Sequence, residues 1–367
     1  MSVFVLMAGG TGGHLFPAMA LAQELKRRGH TIHLMTDHRV AAYGDKFPAR
    51  ETHIVPSATP SVRNPVQFVL AGFKILYGIG VASGKLRGIR ADAVIGFGGY
   101  PVFPPFLAAS FSRIPGLLHE QNAVMGRANR ALARYAKSIA LSFAKTAKAE
   151  AFADKSILVG NPVRDRVRNV AKVPYPDLEA GGSIRLLVFG GSQGARVFAD
   201  LVPPAIAELP HEIRSRLRVV QQCRAEDLDR VAETYRQAKV NVELASFFDD
   251  LPERMAASHL VVSRSGASTI AELTAIGRPA ILVPLPGAID ADQKNNALVM
   301  EAAGGGWIAE QATLTPLSLG TRLASLLGDR DVLQRAAAAA RLLGQPDAVT
   351  KLADAAERLA AKGNKPQ

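Results

Sequence analysis

The chain has 367 residues, 48% of them hydrophobic, so it is long enough for two folded domains and too apolar to be disordered. Its single cysteine, Cys223, excludes an internal disulfide and a cysteine-based zinc cluster, which fits a reducing, cytoplasmic compartment. The formal charge of +12 is concentrated in residues 1 to 160, where 19 Lys and Arg stand against 8 Asp and Glu.

The basic first half could meet nucleic acid, an anionic membrane or a phosphorylated substrate, and charge alone does not choose among them. No RNP-like aromatic motif, zinc finger or helix-turn-helix pattern is present in the sequence, so we expect no nucleic-acid partner. The chain runs directly into an apolar strand, Val3 to Ala8, without a basic leader or cleavage site, and we expect no export signal.

Short apolar runs then alternate with amphipathic helical stretches, a pattern typical of β-α-β units around a parallel sheet. The first unit is predicted as the strand Val3 to Ala8, a helix from Leu15 to Arg28 closed by Gly29, and the strand Thr31 to Met35. Further strands of the first half are predicted at Ala93 to Phe97 and Ile114 to His119.

The apolar stretch Val66 to Val81 is too short for a transmembrane helix and is interrupted by Lys74 and by glycines. The apolar positions within it follow helical spacing: Phe68, Val69, Phe73, Leu76, Tyr77 and Gly80. Because Lys74, Lys85, Arg87 and Arg90 lie nearby, the stretch could be a helix at a membrane surface, and ordinary core packing is the alternative.

The β-α pattern breaks over the Pro- and Gly-containing stretch Ala171 to Ser183 and restarts with the strand Ile184 to Phe189. The restart repeats the design of the first unit: an apolar strand, two glycines, a small polar residue, another glycine, then a helix. We therefore predict two related α/β domains with a junction near 160 to 182. Later elements are the strands Leu260 to Ser263 and Ala280 to Val283, and Ala-rich helical segments from Leu333 to Ala361.

Two glycine turns, GGTGGH at 9 to 14 and GGSQGA at 190 to 195, could each bind a diphosphate, because backbone N–H groups at a helix N-terminus point at such a ligand. A dinucleotide fold competes, with Asp37 as the ribose acid, but the third glycine of its motif falls on Leu15. Neither turn ends in the G-K-[ST] of a P-loop. A tight turn without a ligand is the alternative for each.

Two further loops, GFGGYP at 96 to 101 and HEQN at 119 to 122, follow strands of the first half. Ligands of an open parallel sheet bind beyond the carboxyl ends of its strands, so we expect these loops and His14 to line one crevice. His14 and Glu120 are the candidate proton acceptors for a sugar hydroxyl. Alternatively His14 caps its helix or binds phosphate, and Glu120 pairs with a cation such as Arg127.

In the second half, RSGAST at 264 to 269 is typical of a strand end followed by a helix start, with Glu272 one turn later as an acceptor for ribose hydroxyls. The loop 284 to 297 is rich in amides and acids. Gln293 and Asn296 lie three residues apart there and could read the hydroxyls and acetamido group of a sugar, with solvent-exposed capping as the alternative.

Seven motifs, taken in chain order, closely resemble those of the MurG family. They are GGTGGH, GFGGYP, HEQN, GNPVR (160 to 164), GGSQGA, RSGAST with Glu272, and DQKNNA (292 to 297). Enzymes of this family add N-acetylglucosamine (GlcNAc) from UDP-GlcNAc to a lipid-linked cell-wall precursor. The resemblance covers nearly the whole chain. It implies a GT-B fold, with two Rossmann-like domains and a donor cleft between them. The implied domains are 1–160, binding the acceptor and the membrane; 161–345, binding UDP-GlcNAc; and 346–367, a helix and tail that could pack back on the first domain.

The resemblance also implies a set of ligand-binding residues. Ala267 to Glu272 should hold uridine, with Glu272 on the ribose and the backbone at Phe248 near uracil, and Gln293 and Asn296 should read GlcNAc. Some relatives have two adjacent glutamines where this chain has Asp292 and Gln293. The implied donor contacts are Thr11, Gly12, Gly13, Asn122, Arg164, Ser192, Phe248, Ala267, Ser268, Thr269, Ile270, Ala271, Glu272, Gln293 and Asn296. A second implied set, on the side of the acceptor diphosphate, is Gly98, Gly99 and Tyr100.

The implied reaction joins GlcNAc to the 4-hydroxyl of the MurNAc of lipid I, giving lipid II with inversion at the anomeric carbon. His14 is our first candidate for the base and Glu120 the second. Helix N-termini behind the glycine turns would compensate the leaving diphosphate, so we expect neither a metal ion nor a cofactor. Asp290-Ala291-Asp292 matches a D-x-D metal motif by letter only, because it lies in the sugar loop.

The implied partners are UDP-GlcNAc, lipid I and an anionic membrane surface, and the implied location is the cytoplasmic face of the bacterial inner membrane, with peripheral attachment. Three alternatives stay open: a glycolipid synthase of the same fold, a UDP-GlcNAc 2-epimerase, and a non-catalytic nucleotide-binding protein at the membrane. HEQN and GFGGYP, as acceptor-side motifs of the first half, favour the cell-wall acceptor.

Overall fold

The computed structural model describes residues 1–9, 12–39, 47–59, 65–179, 181–191, 194–288 and 290–363. Its contacts divide the chain into two compact units. One contains Met1–Asp165 together with Pro346–Gln367, and the other contains Arg166–Gln345. We call them the N-terminal unit and the C-terminal unit.

The N-terminal unit is built on a seven-stranded sheet whose pairings are all parallel, as the alternating strand and helix pattern predicts. The order across the sheet is β3-β2-β1-β4-β5-β6-β7, so the chain starts in the middle and winds outward in both directions. The central strands are buried on both faces, which is why they read as unbroken apolar runs. The strands are β1 Val3–Met7, β2 Thr31–Thr36, β3 Glu51–Ile54, β4 Ala93–Gly96, β5 Gly116–Glu120, β6 Ser138–Leu141 and β7 Ser156–Leu158.

Helices connect these strands and cover the two faces of the sheet with separate apolar clusters. Short 3-10 helices add Tyr100–Val102 and Glu150–Lys155. The α-helices up to the boundary between the units are α1 Gly12–Arg27, α2 Pro65–Ile89, α3 Phe103–Phe111, α4 Arg127–Ala133 and α5 Asp165–Val170.

The C-terminal unit repeats the architecture with six parallel strands in the order β10-β9-β8-β11-β12-β13. Two parallel sheets of this kind confirm the predicted α/β class with two Rossmann-like domains. Its strands are β8 Ile184–Phe189, β9 Leu217–Gln222, β10 Asn241–Ala245, β11 Leu260–Ser263, β12 Ala280–Leu282 and β13 Gly306–Ile308. Its helices are α6 Arg196–Ala207, α7 His211–Arg214, α8 Leu228–Gln237, α9 Leu251–Ala257, α10 Ala267–Ile276, α11 Asp292–Ala302, α12 Pro316–Leu327 and α13 Arg330–Leu343, with a 3-10 helix at Ala225–Asp227.

The last helix, α14 Ala348–Gly363, belongs to the N-terminal unit and packs against α1 and beside β4 and β5. Leu352, Ala353 and Ala356 are completely buried in the same cluster as the apolar residues of α1. On the outer side, Arg28 Nη1 contacts carboxylate oxygens of Asp354 and Glu357, each at 2.7 Å. The far end of the chain therefore completes the core of its first unit.

Helix α2 packs on α3 through a stripe of mostly small side chains that includes Ala71, Gly78 and Ala82. A Cβ atom on Gly78 would lie 2.1 Å from the carbonyl oxygen of Pro56, so only glycine allows this close approach. The other face of the helix is exposed and apolar: Val66, Phe68, Val69, Leu70, Phe73, Leu76 and Tyr77. Core packing was the alternative to a membrane-surface helix for this stretch, and it does not account for this exposed face.

The length of α2 corrects one prediction. The helix does not end near Val81 but continues to Ile89, because Ala82 and Leu86 keep it packed on the protein beyond the apolar stretch. Judged on length and apolar composition alone, Val66–Ile89 would be able to cross a membrane. The length of the helix therefore does not by itself exclude a membrane-spanning segment, and the conclusion that it does not span stays a prediction.

Candidate active site

Three predicted motifs meet at the carboxyl ends of β1, β4 and β5, which are neighbours in the sheet. His14, in the first turn of α1, lies over the turn at Gly98 and Gly99. Both glycines have positive φ angles, +81° and +79°, and a Cβ atom on Gly99 would lie 3.3 Å from His14 Nε2. Glycine at these positions therefore permits the backbone turn and its close approach to the imidazole of His14.

A chain of hydrogen bonds runs from His14 into the core. His14 Nδ1 is 3.2 Å from Gln121 Oε1, Gln121 Nε2 is 3.0 Å from His119 Nδ1, and His119 Nε2 is 3.0 Å from the carbonyl oxygen of Gly160. Gln121 Nε2 also donates to the carbonyl oxygen of His119 at 3.1 Å. The two carbonyl oxygens can only accept, and this fixes the direction of every bond in the chain.

The direction of the bonds determines which nitrogen of His14 is basic. His119 is completely buried, and burial lowers its pKa to about 4, so at neutral pH it donates from Nε2 and accepts at Nδ1. Gln121 must then present its oxygen to His14, which donates from Nδ1. The lone pair of His14 is consequently on Nε2, the nitrogen beside the Gly99 turn.

Acidification should destabilise the protein through His119. Its pKa is about 4 in the fold, against 6.5 in an unfolded chain. Above pH 6.5 the imidazole is neutral in both states. As the pH falls from 6.5 to 4 the unfolded chain binds the proton first, and the fold loses up to about 3 kcal/mol.

We expect the urea midpoint to fall less between pH 7 and pH 5 in His119→Gln than in the unaltered chain. The exposed His211 gives the control, since His211→Gln should keep the full pH dependence. An equal fall in all three proteins would contradict the prediction.

The carboxylate of Glu120 is engaged by the loop that follows it. Oε1 accepts from the backbone N–H of Asn122 at 3.0 Å and from its side-chain amide at 3.2 Å. Oε2 accepts from the backbone N–H of Gly126 at 3.0 Å and from Asn129 Nδ2 at 2.7 Å. With four donors on a 1% exposed carboxylate, Glu120 holds the HEQN loop in place, and its lone pairs do not face an open crevice.

The remaining predicted residues of the N-terminal unit lie around α1. Gly12 and Gly13 form its first turn, and the guanidinium carbon of Arg164 lies 4.0 Å from the ring centroid of Phe16 in the same helix. Tyr100 begins the 3-10 helix that follows Gly99. Thr11 lies outside the described residues. The structure thus brings Arg164 of GNPVR to the helix that begins at the first glycine turn.

In the C-terminal unit, Gly191 and Gly194 of the second glycine motif also have positive φ angles, +87° and +65°. Ser192 lies outside the described residues. Gly190 donates its N–H to Gln222 Oε1 at 3.1 Å, which ties the start of the turn to the end of β9. The turn leads into α6, as the repeated pattern predicts.

Helix α10 contains the predicted uridine segment: Ala267, Ser268, Thr269, Ile270, Ala271 and Glu272. Glu272 is buried in the second turn of the helix. Phe248, in the loop after β10, is also buried, with the guanidinium carbon of Arg254 4.3 Å from its ring centroid. The loop at Phe248 and the start of α10 both follow strand ends of the same sheet.

The two amides predicted to read the sugar have different surroundings. Gln293 is partly exposed at the start of α11, and its Oε1 accepts from the backbone N–H of Leu285 at 3.0 Å. Asn296 is completely buried and donates from Nδ2 to the carbonyl oxygen of Ser265 at 3.2 Å. This bond ties the start of α11 to the RSGAST turn, and the contact of Asn296 with the sugar stays a prediction.

Sequence reasoning missed three residues of the N-terminal site. His119 and Gln121 stand inside the HEQN motif but were not assigned roles, and Asn129 lies nine residues beyond Glu120. The apolar run before His119 gave a signal for this residue, since every residue of β5 is buried and a buried histidine requires partners. No local pattern connects Asn129 to Glu120.

Comparison with known proteins shows that both units match domains of the same glycosyltransferase family. Residues 4–141 match the glycosyltransferase family 28 N-terminal domain, and residues 185–359 match the family 28 C-terminal domain. The chain is 50% identical to the UDP-N-acetylglucosamine--N-acetylmuramyl-(pentapeptide) pyrophosphoryl-undecaprenol N-acetylglucosamine transferase of Rhodopseudomonas palustris, over 98% of each chain. It is 49% identical to the Mesorhizobium japonicum enzyme of the same name, over 98% of this chain and 96% of that one.

Solved structures agree with these relatives. MurG of Acinetobacter baumannii is 29% identical, with a TM-score of 0.78 and coverage of 97% of this chain and 99% of that chain. The UDP-GlcNAc 2-epimerase of Neisseria meningitidis bound to UDP-GlcNAc has a TM-score of 0.68 over 98% and 100% of the chains, but only 16% identity, so it shows a shared fold alone. The predicted GT-B fold is confirmed by the MurG structure.

Proposed function

The chain belongs to the MurG family of glycosyltransferases, and on that premise we propose how its residues divide the work of the reaction. It is a UDP-GlcNAc-dependent transferase that moves GlcNAc to lipid I, N-acetylmuramyl-(pentapeptide) pyrophosphoryl-undecaprenol, and forms lipid II in peptidoglycan synthesis. The observation that carries our proposal for the mechanism is the hydrogen-bond chain that leaves Nε2 of His14 with a lone pair.

We propose that His14 is the general base. Inversion requires direct displacement: the MurNAc 4-hydroxyl oxygen forms a bond to the anomeric carbon of GlcNAc while the bond from that carbon to the UDP oxygen breaks. The hydroxyl proton passes to Nε2 of His14, and the electron pair leaves with UDP. Gln121 stabilises the imidazolium that results, because its oxygen accepts from Nδ1–H in both protonation states.

Glu120, the second candidate for the base, has a positioning role in this proposal. Its four hydrogen bonds occupy both carboxylate oxygens with donors from the loop that follows. It holds Asn122 at the mouth of the HEQN loop, where we propose contact with the donor. We propose that the diphosphate of the acceptor binds at the turn of Gly98, Gly99 and Tyr100. This turn offers backbone N–H groups ahead of a 3-10 helix.

The donor is proposed to bind the strand ends of the C-terminal unit, with uridine at the start of α10 and the backbone of Phe248 near uracil. Gln293 keeps its proposed contact with GlcNAc, because its side chain is partly exposed at the first turn of α11. Gly12, Gly13, Asn122 and Arg164 are proposed donor contacts from the N-terminal unit. Helix N-termini compensate the diphosphate charge, so the proposed mechanism needs no metal ion or cofactor.

Glu272→Ala should weaken UDP-GlcNAc binding by about 5- to 150-fold, the effect of losing about 1 to 3 kcal/mol of hydrogen bonds to a charged acceptor. Isothermal titration calorimetry measures the dissociation constant directly. Glu212→Ala, at an exposed position of α7 in the same unit, is the matched control and should leave binding unchanged. An unaltered constant in Glu272→Ala would remove this residue from the donor site.

The membrane partner is proposed from α2. Its exposed apolar face would lie in the interfacial region, and the positive formal charge of residues 1 to 160 would attract anionic lipid. Although α2 is long enough to span a bilayer, its Ala71, Gly78 and Ala82 stripe is already packed on the protein, and spanning would require that packing to be broken. We therefore propose peripheral attachment at the cytoplasmic face of the inner membrane.

A transfer assay with labelled UDP-GlcNAc tests the function against its alternatives. We expect a labelled lipid product with a lipid I analogue and none with diacylglycerol. Turnover with diacylglycerol alone would indicate a glycolipid synthase. Formation of UDP-N-acetylmannosamine without acceptor would indicate an epimerase, and nucleotide binding without any turnover would indicate a non-catalytic protein.

A further inference from the structure

Two buried histidines and a glutamate lie together at the edge of the N-terminal sheet, on strands that the transfer reaction does not use. His33 is on β2, and Glu51 and His53 are on the edge strand β3. The parallel register pairs His33 with Glu51 and Met35 with His53. Because side chains alternate between the faces of a strand, His33, Glu51 and His53 all project from one face.

The separation of the two imidazoles suits a shared ion. His33 Nδ1 and His53 Nε2 are 3.2 Å apart, and the rings are nearly parallel, with an interplanar angle of 14°. Two nitrogens bound to one tetrahedral ion at 2.0 to 2.1 Å lie roughly 3.3 Å from each other. In the ion-free protein the 3.2 Å separation is that of an N–H···N hydrogen bond, and both nitrogens could bind one ion with little change in their distance.

A carboxylate completes the donor set. One potential ligand atom from each of His33, Glu51 and His53 can be chosen so that all three lie within 4.8 Å of one another. Glu51 Oε1 is 3.4 Å from His53 Nδ1, and the Glu51 side chain is 64% exposed, so it is free to rotate toward an ion and leaves a path from solvent. The imidazoles are 7% and 5% exposed, and burial favours their neutral, metal-binding form.

We propose that His33, Glu51 and His53 form a binding site for a divalent transition metal ion of the zinc class. Two imidazole nitrogens and one carboxylate suit Zn²⁺, Co²⁺ or Ni²⁺, whereas Mg²⁺ and Ca²⁺ prefer oxygen ligands alone. Water fills the remaining coordination position. The nearby charges of Arg50 and Lys85 oppose a cation, and the negative charge of Glu51 offsets part of that repulsion. This site is separate from the diphosphate chemistry, which the proposed mechanism performs without metal.

The bound ion would fasten the edge strand to the rest of the sheet. Strand β3 is short and pairs only on its β2 side within the described part of the sheet. It leads directly into Val55, Pro56 and Ser57, which line a cavity of about 410 Å³ together with Lys74 and Tyr100. A metal clamp at His33 and His53 would therefore stiffen the strand that supports this cavity wall.

The test is metal binding by the full chain after removal of any histidine tag and treatment with a chelator. We expect one equivalent of Zn²⁺ by calorimetry, visible absorption bands typical of a bound Co²⁺, and a higher melting temperature with Zn²⁺. His33→Gln and His53→Gln should each weaken Co²⁺ binding by at least about tenfold, and Glu51→Gln should weaken it less. His211→Gln, at an exposed site in the other unit, should bind as the unaltered chain does.

Two outcomes would overturn the proposal: no binding by the unaltered chain, or binding that the His33 and His53 variants do not weaken. The first would leave the two imidazoles as an ordinary hydrogen-bonded pair. The second would place the metal elsewhere. If circular dichroism shows that either histidine variant does not fold, the Glu51→Gln variant tests the site instead, because its exposed side chain can be changed without disturbing the core. Unchanged Co²⁺ binding in that variant would refute the site.

Discussion

His14→Ala should lower kcat for transfer to a lipid I analogue by about 10²- to 10⁴-fold, the usual contribution of a positioned general base. The affinity for UDP-GlcNAc should change little, because the imidazole is proposed to act on the acceptor hydroxyl. Initial rates at saturating donor give the first quantity and calorimetry gives the second. The combination separates loss of the base from loss of the donor site.

His211→Ala is the control for this experiment. His211 is an exposed histidine of α7 in the C-terminal unit, and its loss should leave the rate nearly unchanged. A second signature comes from pH. The acidic limb of the kcat/KM profile should disappear in the His14 variant, since it reports protonation of the free enzyme's base. A rate within tenfold of the unaltered chain would rule out His14 as the base.

The double variant Phe73→Asp, Leu76→Asp should reduce binding to anionic vesicles by at least about 100-fold. Both side chains lie on the exposed face of α2, 67% and 65% exposed. Burying each in the membrane interface contributes up to about 1.5 to 3 kcal/mol, and two lost contributions exceed the 2.7 kcal/mol of a 100-fold change. Co-sedimentation with vesicles measures the partition coefficient.

The control substitution for the membrane prediction is Leu342→Asp, since Leu342 is 88% exposed in α13 of the C-terminal unit. It adds one negative charge, half of what the double variant adds, and removes one exposed leucine, yet should leave vesicle binding almost unchanged. Binding of the unaltered chain should weaken with salt and with loss of anionic lipid. Vesicle binding that survives the double variant would show that α2 is not the contact.

The alternation of strands and helices could be predicted because strands that are buried on both faces of a sheet have continuous apolar sequences. Ile184–Phe189 and Leu260–Ser263 were predicted with the bounds that the structure has. The start of α1 was not. It begins at Gly12 instead of Leu15, because glycines are poor helix formers and the turn, not their propensity, starts the helix there. Edge strands such as β3 were missed, since a half-exposed strand of four residues has little apolar signal.

The sequence was enough to predict which loops form the candidate site, but not what each side chain in those loops does. The β-α alternation predicts a parallel sheet with the carboxyl ends of its strands at one edge, so the meeting of His14, Gly99 and HEQN was foreseeable. The role of Glu120 depends on Asn129 and on two backbone N–H groups whose directions only the folded loop defines. The spacing of Asn296 likewise predicts a ligand contact, but it gives no signal for the hydrogen bond to the carbonyl oxygen of Ser265.

Helix α14 has a consequence for the order in which the chain can fold during synthesis. Domains of growing chains generally fold from the N-terminal end as they leave the ribosome. Here the N-terminal unit lacks Leu352, Ala353 and Ala356 until nearly the whole chain has been made, whereas the C-terminal unit is complete at Gln345. The unit that is translated first is thus the last to acquire its full core, and its apolar α1 surface stays open to chaperones until α14 arrives.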